Sequence, residues 1–217
     1  MGKIGVAAEV EDTIAGWRRN RKSGMIAIAL SGLVAAALWF GIRYGVSPIP
    51  GMELLGARML FALKCSSFAT LFCLVLGVEA VAHERLQSPA FDPLVNFETK
   101  RLRVNLRYLQ NTLEQLVIFF VAIFGLTAYS PDGDSMRAVL ATTIVWIAGR
   151  FAFWVGYHIS AAMRGIGAPG VIVTMLALLY VVARIGFDMA GMAGAIASMA
   201  AFFAIEAFLF WTTRARP

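Results

Sequence analysis

The chain is poor in charge. Only 15% of its 217 residues are Asp, Glu, Lys or Arg, while 59% are hydrophobic and the mean hydropathy is +0.74. A soluble domain carries about 25% charged residues and about 45–50% apolar ones. That shortage excludes an ordinary water-soluble fold and leaves a polytopic membrane protein. Cysteine is almost absent. Cys65 and Cys73 lie in one apolar run, which gives neither a disulfide framework nor a metal-ligand spacing. They read as a reduced pair in the core, and no metal site is expected. The net charge of +6 is modest. No basic block is interleaved with aromatics, so nucleic acid is excluded as a partner.

What is present is a series of apolar runs, each about 20 residues long, enough to cross roughly 30 Å of hydrocarbon. Six spans are predicted, at 24–45, 57–82, 106–129, 137–162, 169–187 and 190–212. Only "RIGFDMAG" divides the last two, so one long bent helix or a short hairpin also fits. Ahead of the first span, Val6, Val10, Ile14 and Trp17 form an apolar stripe at helical spacing, with Glu9, Glu11, Asp12, Arg18 and Arg19 off it. Residues 1–23 therefore fit a cytoplasmic amphipathic helix on the membrane surface, or a frayed terminus. The first apolar run is too long for a cleaved signal and lacks a clear small-residue cleavage site, so it is expected to be retained.

Loop charge sets the expected orientation. Arg18, Arg19, Arg21 and Lys22 precede the first span; Arg85, Lys100, Arg101 and Arg103 follow the second; Arg214 and Arg216 follow the sixth. The alternate loops, "SPIPGMELLG", "SPDGDS" and "GFDMAG", are poor in positive charge. Six spans with both termini in the cytoplasm satisfy every loop. The expected setting is a bacterial inner membrane.

Polar residues inside the spans need a separate reason. An ionised side chain at a helix centre costs about 2.5–3.5 kcal/mol on insertion scales. Yet Arg103, Arg107, Asn111 and Glu114 fall at i, i+4, i+8 and i+11 on the third span, one helical stripe. Arg107 and Glu114 could simply satisfy each other, with Asn111 bonded to a neighbour. A second stripe, Arg150, Phe153, Tyr157 and Arg164, descends the fourth span towards the same side. Two convergent stripes point to a site. His158 falls off the stripe and reads as structural. Ala190, Gly194 and Ser198 repeat small side chains every fourth residue, a spacing that permits close helix contact.

The pattern R-x-x-x-N-x-x-E at Arg107, Asn111 and Glu114 resembles the signature of the MAPEG family, membrane-associated proteins of eicosanoid and glutathione metabolism. After the loop "SPDGDS" comes R-x-x-F-x-x-G-Y at Arg150, Phe153, Gly156 and Tyr157. Arg164 then follows at the spacing of the family's leukotriene-forming branch, and "SPAFDP" resembles its proline-containing cytoplasmic loop. The resemblance covers residues 57–187. It implies an all-α, MAPEG-like four-helix transmembrane core assembled as a homotrimer, with glutathione as co-substrate between subunits near the cytoplasmic face. Carried over by position, Arg107, Asn111, Glu114, Arg150 and Tyr157 would hold the tripeptide, and Arg164 would be catalytic by stabilising the thiolate. A carboxylate suits the ammonium of glutathione and arginines suit its carboxylates.

Departures accompany the match. Phe153 stands where many relatives carry tyrosine and Gln115 where the leukotriene-forming branch does, and the spans at 24–45 and 190–212 (with the basic tail, 190–217) exceed the four-helix plan. The resemblance implies a glutathione-dependent transferase or peroxidase acting on lipophilic electrophiles. The competing reading is a catalytically silent subunit whose additional spans bind lipid or a partner membrane protein. A small transporter fits less well, since there is neither an internal repeat nor a mid-membrane helix break.

Overall fold

In the computed structural model, residues 2–95 and 97–213 are described; for residues 2–15, 17 and 93 the description is of the backbone alone. The apolar stripe at Val6, Val10, Ile14 and Trp17 and the basic tail at Arg214 and Arg216 therefore lie outside the described side chains. The described residues form helices and short turns, with no strand. α1 covers Gly2–Gly45, α2 Leu55–Ala69, α3 Leu76–Leu86, α4 Lys100–Ala128, α5 Gly133–Ile159 and α6 Ala168–Thr213.

Five helical stretches are long and apolar enough to cross a membrane: Arg18–Gly45, Leu55–Leu86, Lys100–Ala128, Gly133–Ile159 and Met163–Thr213. The first four agree with the expected spans. The last contains both remaining ones, and its backbone leaves helical geometry at Ala190 and at Gly191, where φ is 60° and ψ is −151°. A Cβ built on Gly186 would lie 2.6 Å from the Gly194 carbonyl oxygen and 3.0 Å from Ser198 Oγ. Along an unbroken helix those residues would be about 12 and 18 Å away. The chain therefore doubles back, and Gly194 and Ser198 of the small-residue repeat are what the first half of α6 packs against.

The core lies between α2, α4 and α5. Ala62, Cys65 and Ala69 meet Leu116, Phe119 and Ile123 on one side and Met136, Val139 and Trp146 on the other. Phe119 and Trp146 stack at 4.6 Å between centroids. α1 stands outside this core and packs on α5 and α6. Glycine permits a close crossing where a Cβ on Gly149 of α5 would come within 2.9 Å of the Gly170 Cα on α6.

α2 and α3 are joined by a π-helical segment, Thr70–Val75. Within it the Cys73 carbonyl accepts a hydrogen bond from the buried Tyr108 hydroxyl of α4 at 2.9 Å. Single π turns inside α-helices recur at functional sites. Thr99 caps α4 by accepting from the Leu102 N–H at 2.9 Å. Asp132 and Ser135 form a reciprocal capping box at the start of α5.

The two ends of the bundle differ. At one end the Ile49 N–H donates to the Gly133 carbonyl at 3.1 Å, Arg58 ties Met52, Glu53 and Pro131 together through their carbonyls, and Tyr129 donates to Asp188. At the other end Gly24 approaches the Ala162 carbonyl, and Arg101 pairs with Glu84 at 2.8 Å. The stretches holding Arg18–Lys22, Arg85 and Lys100–Arg103 converge on that second, basic end.

Candidate functional site

Near the basic end α4 and α5 lie side by side, and Arg150 is the centre of their contact. It is 1% exposed. Its Nη2 donates to Asn111 Oδ1 at 3.0 Å, while its Nε is shut from solvent without a partner. The guanidinium carbon lies 4.5 Å from the Phe153 ring centroid and 5.9 Å from that of Tyr108. The cation is thus held by one amide and two aromatic faces rather than by a carboxylate. Cation–π contacts of this kind strengthen when desolvated.

From Arg150 an aromatic ladder descends α5. The Phe153 and Tyr157 centroids are 5.6 Å apart, and Arg164, in the turn Met163–Gly167, sets its guanidinium carbon 5.7 Å from the Tyr157 centroid. Helical spacing places 150, 153 and 157 on one face, and the 3₁₀ turn then brings Arg164 back under it. Tyr157 is half-buried and Arg164 exposed.

The structure thus brings together Asn111 with Arg150, and Tyr157 with Arg164. Arg107 and Glu114 behave differently. Both are exposed on the outer side of α4, and they do not pair with each other. Glu114 accepts instead from Gln110 Nε2 at 3.3 Å, and Arg103 pairs with Glu98 at 3.4 Å. The stripe expected on α4 therefore grades from Asn111, turned to Arg150, to two ionisable groups facing away from the helix bundle. A cleft of about 720 Å³ opens beside the stripe at the basic end, with Arg85, Asp92, Phe97, Glu98 and Arg103 among its walls. Arg107, Asn111, Glu114, Arg150 and Tyr157 are not among its lining residues.

Three residues missed in the sequence hold this arrangement in place. Tyr108 is fully buried and stacks on Trp154 at 4.6 Å. Asn105, also buried, accepts from Trp154 Nε1 at 2.9 Å and lies 3.1 Å from His158 Nε2. His158, off the stripe, is exposed at the end of α5 beside Asn105. The available signal was periodic: Asn105, Tyr108 and Thr112 continue the α4 face next to the charged stripe, which is the face turned to α5.

A multi-pass integral membrane protein with an arginine–amide–aromatic cluster between two of its spans is the class that this fold and site define. The MAPEG family model matches residues 62–187, and the chain belongs to that family. α1 and the returning half of α6 fall outside the matched stretch. No curated protein and no solved structure matches the chain.

Proposed function

We propose that the protein is a glutathione-dependent transferase or peroxidase acting on lipophilic electrophiles that reach it through the bilayer. The observation that carries this reading is Arg150, buried within a membrane span with one bond to Asn111 and a free Nε. An orphaned guanidinium donor at that depth is suited to a carboxylate, and glutathione has two. The residues present fit the tripeptide. Arg150 and Arg107 would take its carboxylates, Glu114 its ammonium, Asn111 and Tyr157 its amide groups, and Arg164 the sulfur.

Bound glutathione supplies the nucleophile as a thiolate. Arg164 is the cation that favours loss of the thiol proton to water. Sulfur then forms a bond to the electrophilic carbon, whose leaving group departs with the electron pair or whose double bond accepts it. The exposed placement of Arg107 and Glu114 supports a site completed by a neighbouring subunit, in a homotrimer whose basic end faces the cytoplasm.

A second reading, a silent subunit that docks on lipid or a partner membrane protein, is favoured by α1, whose most apolar window is 0% buried. Titrating the purified protein with glutathione while following thiolate absorbance in the ultraviolet separates the two. A saturable thiolate signal at neutral pH is expected. If none forms, the silent-subunit reading takes its place.

A further inference from the structure

The additional helix α1 creates something the matched core does not hold by itself. In the half of the bundle away from Arg150, α1, α5, α6 and the end of α4 enclose a cleft of about 480 Å³. That size lies within the roughly 300–1,000 Å³ of small-molecule sites. Ala36, Ala138 and Ala177, one from each of three helices, keep its walls apart, and Trp39, Phe40 and Leu176 line it with apolar surface. Trp39 Nε1 is already committed to Thr142 Oγ1 at 3.1 Å, so the deep part presents no open donor from that ring.

Polarity gathers at the end nearest the loops, around Arg43, Tyr129, Ser130 and Ser135. Most of these groups are engaged. Tyr129 donates to Asp188 at 2.7 Å, Ser130 to the Leu126 carbonyl at 2.8 Å, and Ser135 to Asp132. Arg43 differs. Its Nη2 bonds Asp134 Oδ2 at 3.0 Å, but Arg137 claims the other oxygen of the same carboxylate. One carboxylate thus serves two guanidinium groups, and Asp132 is the next carboxylate near Arg43. Arg43 Nη1 is shut from solvent and has no hydrogen-bond partner. An unmet buried donor is unfavourable, and an anionic acceptor is its strongest remedy.

We propose that this cleft binds a single-chain anionic amphiphile, its head group on Arg43 and its hydrocarbon chain between α1, α5 and α6. The inference is independent of the thiol site, which lies in the other half of the bundle. A carboxylate or a phosphate head would satisfy the same donor, whereas a neutral head would not.

The test uses the full chain in lipid nanodiscs, with empty nanodiscs subtracted. A long-chain fatty acid, the lysophosphatidate and the fatty alcohol of equal chain length are titrated in turn. Binding of at least one anion about tenfold tighter than the alcohol is expected, and which anion it is assigns the head group. Arg43→Gln should abolish the preference. Ala177→Trp should block the chain channel and weaken all three. Should Arg43→Gln fail to fold, Asp134→Asn tests the same point, because releasing Arg43 from its carboxylate should tighten the anion. Equal binding of alcohol and anions, a preference that survives Arg43→Gln, or no response to Ala177→Trp or Asp134→Asn overturns the proposal.

Discussion

Arg150 presents the sharpest conflict between burial and charge. An arginine with 1% exposure and a single side-chain acceptor, Asn111, is costly to keep, and a packed apolar residue of similar length is often neutral or better for stability. Arg150→Met should therefore fold with an unchanged or higher thermal midpoint while losing glutathione binding. Asn111→Leu should do the opposite to stability, removing the guanidinium's acceptor and costing about 1–3 kcal/mol. Thermal unfolding in detergent beside calorimetric titration distinguishes a binding arginine from a structural one. Arg164 makes a separate case, since a cation at the sulfur acts on ionisation more than on docking. Arg164→Ala should lower kcat about ten- to a hundredfold with a smaller change in KM. Glu114→Ala should chiefly raise KM. Steady-state kinetics with a model electrophile reads both. If Arg164→Ala leaves thiolate formation unchanged, Arg164 is only a boundary residue. At the far end of α5, the Asp132 carboxyl is held below its ordinary value near 3.8, first by the Ser135 N–H and then by the Ser135 hydroxyl. A carboxyl lowered on folding stabilises fully above its unfolded value, and that contribution is lost as the pH falls from about 3.8 through the folded value. Asp132→Asn should accordingly flatten the fall in thermal midpoint over that acidic window and leave the neutral plateau lower.

At the scale of elements, the four core spans were legible because apolar runs and helix length are both set by the bilayer. Their ends were less so. α2 and α3 together reach Leu86, past the expected end at 82, because Glu84 and Arg85 continue the helix into polar surroundings where Glu84 meets Thr99 and Arg101. The π segment at Thr70–Val75 was not legible, since nothing in an apolar run marks one turn as wider than the next. Charged members of the site were readable from their cost in a span. Tyr108 and Asn105 were not, because a buried tyrosine or asparagine declares itself only through a partner on another helix. The division of α6 sat between two readings, and backbone geometry decides it. At Gly191, φ of 60° with ψ of −151° belongs to a region open essentially to glycine alone. Gly191→Ala should destabilise the protein by about 1–3 kcal/mol and loosen the contact of Gly186 with Gly194 and Ser198. A fall in thermal midpoint, with faster modification of an introduced Ser198→Cys by a membrane-permeant thiol reagent, is the expected result. An unaltered midpoint would argue against a fixed reversal there.

For the whole molecule, the question raised by Arg107 and Glu114 is what faces them. Both are exposed on the outer side of a membrane-spanning helix, and lipid is an unfavourable neighbour for ionised groups by about 2.5–3.5 kcal/mol each at mid-membrane. Water at the basic end or a second subunit relieves that cost, and only the second completes a site. Asn111 and Arg150 are bonded within one chain, whereas Glu114 has no described contact with Tyr157 or Arg164. A shared site would take its α4 surface from one subunit and its Tyr157–Arg164 corner from the next. Complementation tests this directly. Glu114→Ala chains and Arg164→Ala chains, each defective as homo-oligomers, should regain part of the thiolate signal when co-assembled. The gain arises because some junctions in a mixed assembly join an intact Glu114 surface to an intact Arg164. A site closed within a single chain would gain nothing from mixing, since every chain would still lack one of the two residues. Co-expression with two different affinity tags, sequential purification and glutathione titration of the doubly tagged fraction gives the answer. Restoration assigns the stripe on α4 to a subunit junction, and its absence returns Arg107 and Glu114 to the water boundary of a self-contained subunit.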